Sequence, residues 1–207
     1  MKTLYRSVLH TGILLLLVAA AMAARVGEAA PDFTATDSNG KTHHLADYKG
    51  KYVVLEWHNQ GCPYTRKHYE SGNMQHLQKE WTEKGVVWFT VISSAPGTQG
   101  YVTAPQENDY LKKMNAVPTA VLLDPDGNLG HMYAAKTTPH MYIINPAGVL
   151  IYNGAIDDHP TRFSNFISSS SNYSPKTTSS EYRLSTCSRL RTSDLYILGI
   201  FSWYTLL

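Results

Sequence analysis

The sequence predicts an α/β fold in which a mixed central sheet is flanked by helices, and three observations lead to that prediction. Residues 52–57 and 86–92 are near-continuous apolar runs, which are typical of strands buried on both faces of a sheet. The segment between them begins at Pro63 and has helical spacing, so a normal crossover would make the two strands parallel. Residues 141–152 contain two further apolar runs around an Asn-Pro-Ala-Gly turn, which predicts a β-hairpin.

The helix that begins at Pro63 is expected to end at Gly85. Proline suits a first helical turn, because a backbone N–H there would have no partner within the helix. Met74 and Trp81 lie seven residues apart and therefore on one face, which is expected to pack on the sheet. Gly72, in the middle of this segment, predicts a kink or break.

The remaining elements complete the order β, β, α, β, α, β, β, β. Residues 33–36 precede an Asp-Ser-Asn-Gly sequence and predict a short strand and a turn. Thr103 and Gln106 have the spacing of a capping box, so a second helix is expected to run from there to about Met114. Residues 121–123 predict a strand that leads into a turn.

The composition excludes several classes of protein. The chain has 207 residues, of which 43% are hydrophobic, so it can form one well-sized core. Lys and Arg number 18 against 16 Asp and Glu, and this balance gives no support to nucleic-acid binding. The two cysteines, Cys62 and Cys187, are too few for a disulfide-stapled miniprotein or a four-cysteine zinc site.

The amino-terminal segment predicts export. Lys2 and Arg6 precede an uncharged, mostly apolar run over residues 12–24, and residues 21–23 have the small-x-small pattern of a signal-peptidase site. The apolar run is shorter than the about 20 residues that span a bilayer. Residues 1–23 are therefore interpreted as a signal peptide of a periplasmic or extracellular protein, with a retained amino-terminal anchor as the alternative.

The carboxyl-terminal segment differs in composition from the rest of the chain. Residues 161–207 contain twelve serines, whereas residues 24–160 contain four. Serine-rich sequence buries little apolar surface and behaves as a linker. We therefore expect residues 24–160 to form the folded domain and residues 161–207 to form a poorly ordered tail.

Cys62 is the candidate nucleophile. It directly follows a predicted buried strand and stands where a helix begins, beside Pro63 and close to Arg66, Lys67 and His68. The free N–H groups and the positive dipole end of a helix favour a thiolate over a thiol. A buried structural cysteine is the alternative, since cysteine is among the most buried residue types.

Two regions of the sequence resemble a known family. A Cys-Pro-Tyr sequence at a helix start, followed much later by Thr138-Pro139 before a hairpin strand, resembles the thioredoxin fold. Residues 136–145 and 152–158 resemble the redoxin group, the peroxiredoxin-like proteins related to alkyl hydroperoxide reductase and thiol-specific antioxidant. The resemblance implies a thiol-dependent oxidoreductase without a cofactor or metal. It also implies a catalytic site of Cys62, Thr65, Thr138 and Pro139, with Pro139 in the cis form against the thiol.

The departures from that family leave the reaction open between two substrates. Thr65 stands where thioredoxins have a second cysteine, and Asn59 stands where typical peroxiredoxins have a threonine. The thiolate would attack either a peroxide oxygen, giving a sulfenic acid, or a disulfide sulfur, giving a mixed disulfide. Regeneration would then come from Cys187 as a resolving thiol, from a second subunit of a homodimer, or from an external thiol reductant.

The sequence leaves two alternative functions open. His58, His68 and His140 are candidates to cluster with Cys62, and a soft thiolate with imidazole suits Cu(I). A copper-binding thioredoxin-fold protein is therefore one alternative. A non-catalytic binding module on the same scaffold is the other, since a fold does not by itself imply a reaction.

Overall fold

The computed structural model describes residues 23–157, so the predicted signal peptide up to residue 22, the serine-rich tail and Cys187 lie outside the described residues. Seven strands and four α-helices occur within the described range. The strands are β1 Thr34–Asp37, β2 Thr42–His44, β3 Val53–Trp57, β4 Val87–Ile92, β5 Ala120–Leu123, β6 His140–Ile144 and β7 Leu150–Gly154. The helices are α1 Pro63–Glu70, α2 Asn73–Glu83, α3 Ala104–Met114 and α4 Asn128–Tyr133, with a 3₁₀ helix over Leu45–Tyr48.

The strands form one mixed sheet in the order β2-β1-β5-β4-β3-β6-β7. The three central strands β5, β4 and β3 are parallel, and the outer strands are antiparallel to their neighbours. The mixed sheet, the parallel pair β3 and β4 and the β6–β7 hairpin are confirmed. The three-residue strand β2 and the six-residue helix α4 were not predicted, because segments this short lack a hydrophobic period that can be read from the sequence.

The long helix predicted from Pro63 is two helices, and the break expected at Gly72 is confirmed. α1 ends at Glu70, and Gly72 precedes α2 with a φ of 76°. This left-handed conformation is open to glycine at no steric cost, so the chain can change direction there. The capping box predicted at the start of α3 is also present. The Thr103 backbone N–H donates to Gln106 Oε1 at 2.8 Å, and the Thr103 side chain accepts from the Gln106 backbone N–H.

The core lies on both faces of the sheet. Leu55 of β3 pairs with Phe89 of β4, and both side chains belong to the cluster on one face. Val54 pairs with Trp88, and both belong to the cluster on the opposite face, because successive side chains of a strand alternate between faces. Every residue of β3 and β4 is buried, as central strands require. Within residues 23–157, no helix has the length and hydropathy needed to cross a bilayer.

Candidate active site

Cys62 lies where the chain passes from the central strand β3 into α1. It occupies the N-cap position in an extended conformation, with a φ of −75° and a ψ of 124°, and its thiol is free and partly buried. The preceding loop is held by two hydrogen bonds, since the Cys62 N–H donates to Asn59 O at 3.0 Å and the Gly61 N–H donates to Asn59 Oδ1 at 2.8 Å. The first turn of α1 therefore presents its free N–H groups at the thiol.

A distant segment completes the surroundings of the thiol. Cys62 Sγ donates to the carbonyl oxygen of Thr138 at 3.0 Å, and these residues are 76 positions apart in the chain. The peptide bond from Thr138 to Pro139 is cis, Pro139 is buried and Thr138 is partly exposed. The structure thus brings Cys62, Thr138 and Pro139 together, and the cis bond implied by the resemblance is present.

The environment lowers the pKa of the Cys62 thiol. Burial acts in the opposite direction and raises the pKa. A hydrogen bond with the Thr138 side chain and those from the backbone N–H groups of Thr65 and Tyr64 outweigh burial, and the Thr65 side chain adds to them. The side chain of Thr65 is fully buried, and its hydroxyl has no other hydrogen-bond partner in the part of the chain that the structure describes. Thr65 is therefore placed to donate a hydrogen bond to the thiolate.

The basic residues near Cys62 in the sequence do not contribute to the low pKa as their position suggested. Lys67 is buried, and its Nζ lies 2.5 Å from Asp157 Oδ2. His68 Nε2 lies 3.3 Å from the same oxygen. Both side chains therefore contact Asp157, in the segment after β7. Hydrogen bonds, rather than these charges, favour the thiolate.

The three candidate copper ligands lie in three different surroundings. His58 packs against the rings of two tyrosines, His68 pairs with Asp157, and His140 Nε2 lies 2.7 Å from Asn153 Oδ1. Burial lowers the pKa of His140. Among residues 23–157, no three His, Cys, Asp or Glu side chains form a group that could hold a metal ion. The structure therefore does not bring these histidines together with the Cys62 thiol.

Two buried carboxyl groups near the site were not predicted as functional residues. Glu56 on β3 and Glu107 on α3 are both fully buried. The sequence signal for Glu56 was present, because it is the one charged residue in an otherwise apolar strand. No comparable signal marks Glu107, which lies among the polar residues of an amphipathic helix. Its burial depends on the packing of α3 against the loop before Cys62.

The comparison with protein-family models covers nearly all of the described residues. The sequence profile of the AhpC/TSA family matches residues 26–153. The chain belongs to the AhpC/TSA family. The resemblance to the redoxin group is thereby confirmed, and the chain is a thiol-dependent oxidoreductase of that group.

Individual relatives agree with this assignment. The chain is 28% identical over 163 residues to the thiol-disulfide oxidoreductase ResA of Geobacillus kaustophilus, covering 67% of this chain and 92% of that protein. It is 30% identical over 124 residues to the thioredoxin-like protein YneN of Bacillus subtilis, covering 60% and 68%. The thioredoxin domain of a thiol-disulfide oxidoreductase from Bacteroides vulgatus superposes with a TM-score of 0.51 at 21% identity, over 70% of this chain and 96% of that domain. The thioredoxin-like α/β fold is confirmed.

Proposed function

We propose that Cys62 is the nucleophile of a thiol–disulfide exchange reaction. The observation that carries the proposal is the position of its free thiol at the start of α1, 3.0 Å from the Thr138 carbonyl that precedes Pro139. A lowered pKa supports it, since the thiolate is the form that attacks a disulfide. The relatives named thiol-disulfide oxidoreductases support the same reaction.

The proposed step forms one S–S bond and breaks another. The Cys62 thiolate attacks one sulfur of the substrate disulfide, and the second substrate sulfur leaves as a thiolate that takes a proton from water. The product is a mixed disulfide between Cys62 and the substrate. Thr138 is partly exposed beside the thiol, and its backbone would pair with an extended substrate segment.

Release of the substrate then needs a second thiol. Thr65 occupies the position at which a Cys-x-x-Cys protein has its resolving cysteine, and it cannot perform that step. We propose that the thiolate of an external thiol attacks the mixed disulfide at the substrate sulfur. The bond between Cys62 and the substrate breaks, the Cys62 thiolate leaves, and the substrate sulfur forms a new disulfide with the external thiol. Resolution by Cys187 or by a second subunit in a homodimer are the other outcomes that the test below separates.

Peroxide reduction is the second candidate. The AhpC/TSA match favours it, together with the Thr65 hydroxyl, which has no hydrogen-bond partner apart from the thiol among residues 23–157. The Cys62 thiolate would attack one peroxide oxygen, becoming a sulfenic acid, while the second oxygen leaves as an alcohol or water after taking a proton. A hydrogen bond from Thr65 would stabilise negative charge near the reacting atoms.

Intact mass measurement separates these reactions. The wild type and Cys62→Ser are treated with one equivalent of a peptide disulfide or of hydrogen peroxide, with Cys187→Ser as the matched control. A peptide adduct on wild type and Cys187→Ser, absent from Cys62→Ser and removed by added thiol, supports exchange with external resolution. Gain of one oxygen after hydrogen peroxide, without a peptide adduct after the peptide disulfide, supports the peroxidase. An internal or intersubunit disulfide that needs Cys187 supports resolution by that residue. A Cys62 that reacts with neither reagent overturns the proposal.

We also propose that residues 1–23 direct export to the periplasm or outside the cell and that residues 24–160 are the functional domain. The charge and apolar pattern of the first residues and the serine-rich composition after residue 160 support these assignments. Amino-terminal sequencing of the protein recovered from its native cells tests the first assignment. A mature chain that starts at Ala24 is expected, whereas a chain that still starts at Met1 would contradict it.

A further inference from the structure

The loop between α4 and β6, residues 134–139, forms one wall of the proposed active site. It begins at Ala134, whose φ of 51° lies in the left-handed region that a residue with a side chain rarely adopts. It ends at Thr138 and Pro139, and the Thr138 carbonyl accepts from Cys62 Sγ at 3.0 Å. The position of Thr138 beside the thiol therefore depends on the contacts that hold this loop.

The side chain of His140, the first residue of β6, holds the loop at its middle. The Lys136 backbone N–H donates to His140 Nδ1 at 3.3 Å. A ring nitrogen that accepts a hydrogen bond carries no proton, so the proton of the neutral ring is on Nε2. Nε2 lies 2.7 Å from Asn153 Oδ1 on β7, which accepts that proton in a hydrogen bond. The hydrogen bond from Lys136 therefore requires the neutral form of the ring.

A charged His140 ring would have a different partner at the same nitrogen. Tyr142 Oη lies 3.2 Å from Nδ1, and its own proton is donated to the Tyr133 carbonyl at 2.9 Å. The Tyr142 oxygen can therefore accept a hydrogen bond from a protonated Nδ1. When the ring gains a proton, Nδ1–H would bond to Tyr142, and the Lys136 N–H would lose its acceptor.

The groups around the ring favour the neutral form at neutral pH. Burial has the largest influence and lowers the pKa of His140, the hydrogen bond with Asn153 raises it, and the Lys136 ammonium lowers it, with a net decrease. Burial also raises the pKa of the two tyrosines, which therefore stay uncharged. On the neighbouring strand β3, the residue opposite His140 is Trp57, which has no charge. The ring therefore becomes charged only below about pH 6.5, the ordinary pKa of histidine.

We propose that His140 is a positioning residue for the Cys62 thiol: its neutral ring holds the loop of Thr138 in place, and protonation of the ring releases that loop. The proposal rests on the proposed role of Cys62 as nucleophile. Burial raises the pKa of Cys62, and the hydrogen bond with the Thr138 side chain is the largest of the contacts that lower it. Displacement of Thr138 therefore reduces the thiolate fraction. In mildly acidic solution, the thiol loses more reactivity than its own ionisation explains.

Alkylation of Cys62 tests this coupling without a disulfide or peroxide substrate. The rate of reaction with iodoacetamide is read at Cys62 by peptide mass spectrometry for the full chain, from about pH 5 to about pH 8, the range in which histidine titrates. Below the midpoint of His140, the wild-type rate is expected to fall by up to about tenfold more than a single thiol ionisation predicts, which corresponds to a rise of about one in the thiol pKa. A wild-type profile that follows one ionisation throughout overturns the proposal.

Two substitutions of His140 separate the acceptor from the charge. Asparagine offers a side-chain oxygen as an acceptor near the position of Nδ1 and does not titrate, so His140→Asn is expected to lose the additional acid step. Phenylalanine keeps a ring but has no acceptor, so His140→Phe is expected to react more slowly than His140→Asn at neutral pH. Equal rates for these two variants overturn the proposal. His76→Asn, which changes a histidine with a side chain that is 75% exposed, is the matched control and should keep the additional acid step.

Heteronuclear NMR of the wild type keeps the proposal testable if the His140 variants do not fold. At neutral pH, the ring is expected to carry its proton on Nε2, and a proton on Nδ1 instead overturns the proposal. On acidification, the Lys136 amide is expected to lose its protection from hydrogen exchange with the same midpoint as the ring. An amide that stays protected through that midpoint overturns release of the loop. If these results hold but Cys62 forms no mixed disulfide, only the proposed function fails.

Discussion

The two ends of α1 have opposite environments. At the amino end, Cys62 is free and partly buried, and the nearby Thr65 hydroxyl has no other partner in the described chain. At the carboxyl end, Lys67 and His68 are buried, and both lie within 3.3 Å or less of Asp157. The amino end thus has a free thiol beside a hydroxyl with no further partner in the described chain, whereas the carboxyl end has charged side chains that are paired with a carboxylate.

The amino end of α1 determines the reactivity of the thiol, and the carboxyl end contributes to the stability of the fold. Hydrogen-bond donors at the amino end stabilise an anion at Cys62, which is what a thiol nucleophile requires. The ion pair at the carboxyl end ties α1 to the segment after β7, since Lys67 and Asp157 are 90 positions apart. We therefore expect substitutions at the amino end to change reaction rates and substitutions at the carboxyl end to change the free energy of unfolding.

The largest effect is expected for Cys62→Ser. A serine hydroxyl is far less acidic than a thiol and cannot form a disulfide, so exchange and alkylation at residue 62 should both be lost. The free energy of unfolding should change by less than about 1 kcal/mol, because the thiol is only partly buried and serine remains a good N-cap residue. Thiol exchange assays and urea unfolding measure the two effects. Loss of cooperative unfolding would show that Cys62 is structural.

Asp157→Asn is expected to have the largest effect on stability. It leaves the buried Lys67 ammonium without this carboxylate, which should reduce the free energy of unfolding by about 3 kcal/mol, near the low end for a broken buried ion pair. The lower end applies because the side chain of Asp157 is 27% exposed. Glu80→Gln, which breaks the exposed pair with Lys84, is the control and should cost about 0.5 kcal/mol or less. Equal effects of the two substitutions in urea unfolding would contradict the comparison.

The contribution of Asp157 should depend on acid pH. Burial raises the pKa of Asp157, but the contacts with His68 and Lys67 lower it by more than burial raises it. The pKa in the folded protein is therefore below the ordinary value. A depressed folded pKa stabilises the protein above the ordinary aspartate value of about 3.9 and loses that contribution as the pH falls through the folded value. The difference in melting temperature between the wild type and Asp157→Asn should therefore be constant near pH 6 and shrink below pH of about 4. A difference that grows on acidification would contradict this assignment.

The smallest effect is expected for Thr65→Val. Valine keeps the shape of the side chain but removes the hydroxyl that helps to lower the pKa of Cys62. The thiolate fraction at neutral pH, and with it the alkylation rate of Cys62, should fall by up to about tenfold, the effect of losing about 1.4 kcal/mol of differential stabilisation. The free energy of unfolding should be nearly unchanged, because the buried hydroxyl has no other hydrogen-bond partner among residues 23–157. Thr98→Val, which changes an exposed loop hydroxyl that bonds to Ala95 O, is the control for the alkylation rate.

Patterns that act over a few residues could be predicted from the sequence. The apolar runs predicted β3 and β4, the Thr103 capping box predicted the start of α3, and Gly72 predicted the break between α1 and α2. The position of Cys62 at a helix start belongs to the same class, because the strand pattern ends at Trp57 and the helix pattern begins at Pro63, directly after the cysteine. Local dihedral preferences and hydrophobic period determine such features, so they need no knowledge of the rest of the chain.

The surroundings of the thiol were decided by the tertiary structure. The contacts of Cys62 with Thr138, of Lys67 with Asp157 and of Gln60 with Glu107 join residues 76, 90 and 47 positions apart. The first of these was expected from the family resemblance and not from the residues themselves, and the other two were not expected. Such contacts exist only because the sheet places β6 beside β3 and α3 packs near the loop after β3. The sequence by itself determined where a reactive thiol could stand and which N–H groups of the first helical turn lie beside it. Burial of the thiol and its contact with Thr138, which also act on its pKa, were decided by the packing of distant segments, because both depend on neighbours in space.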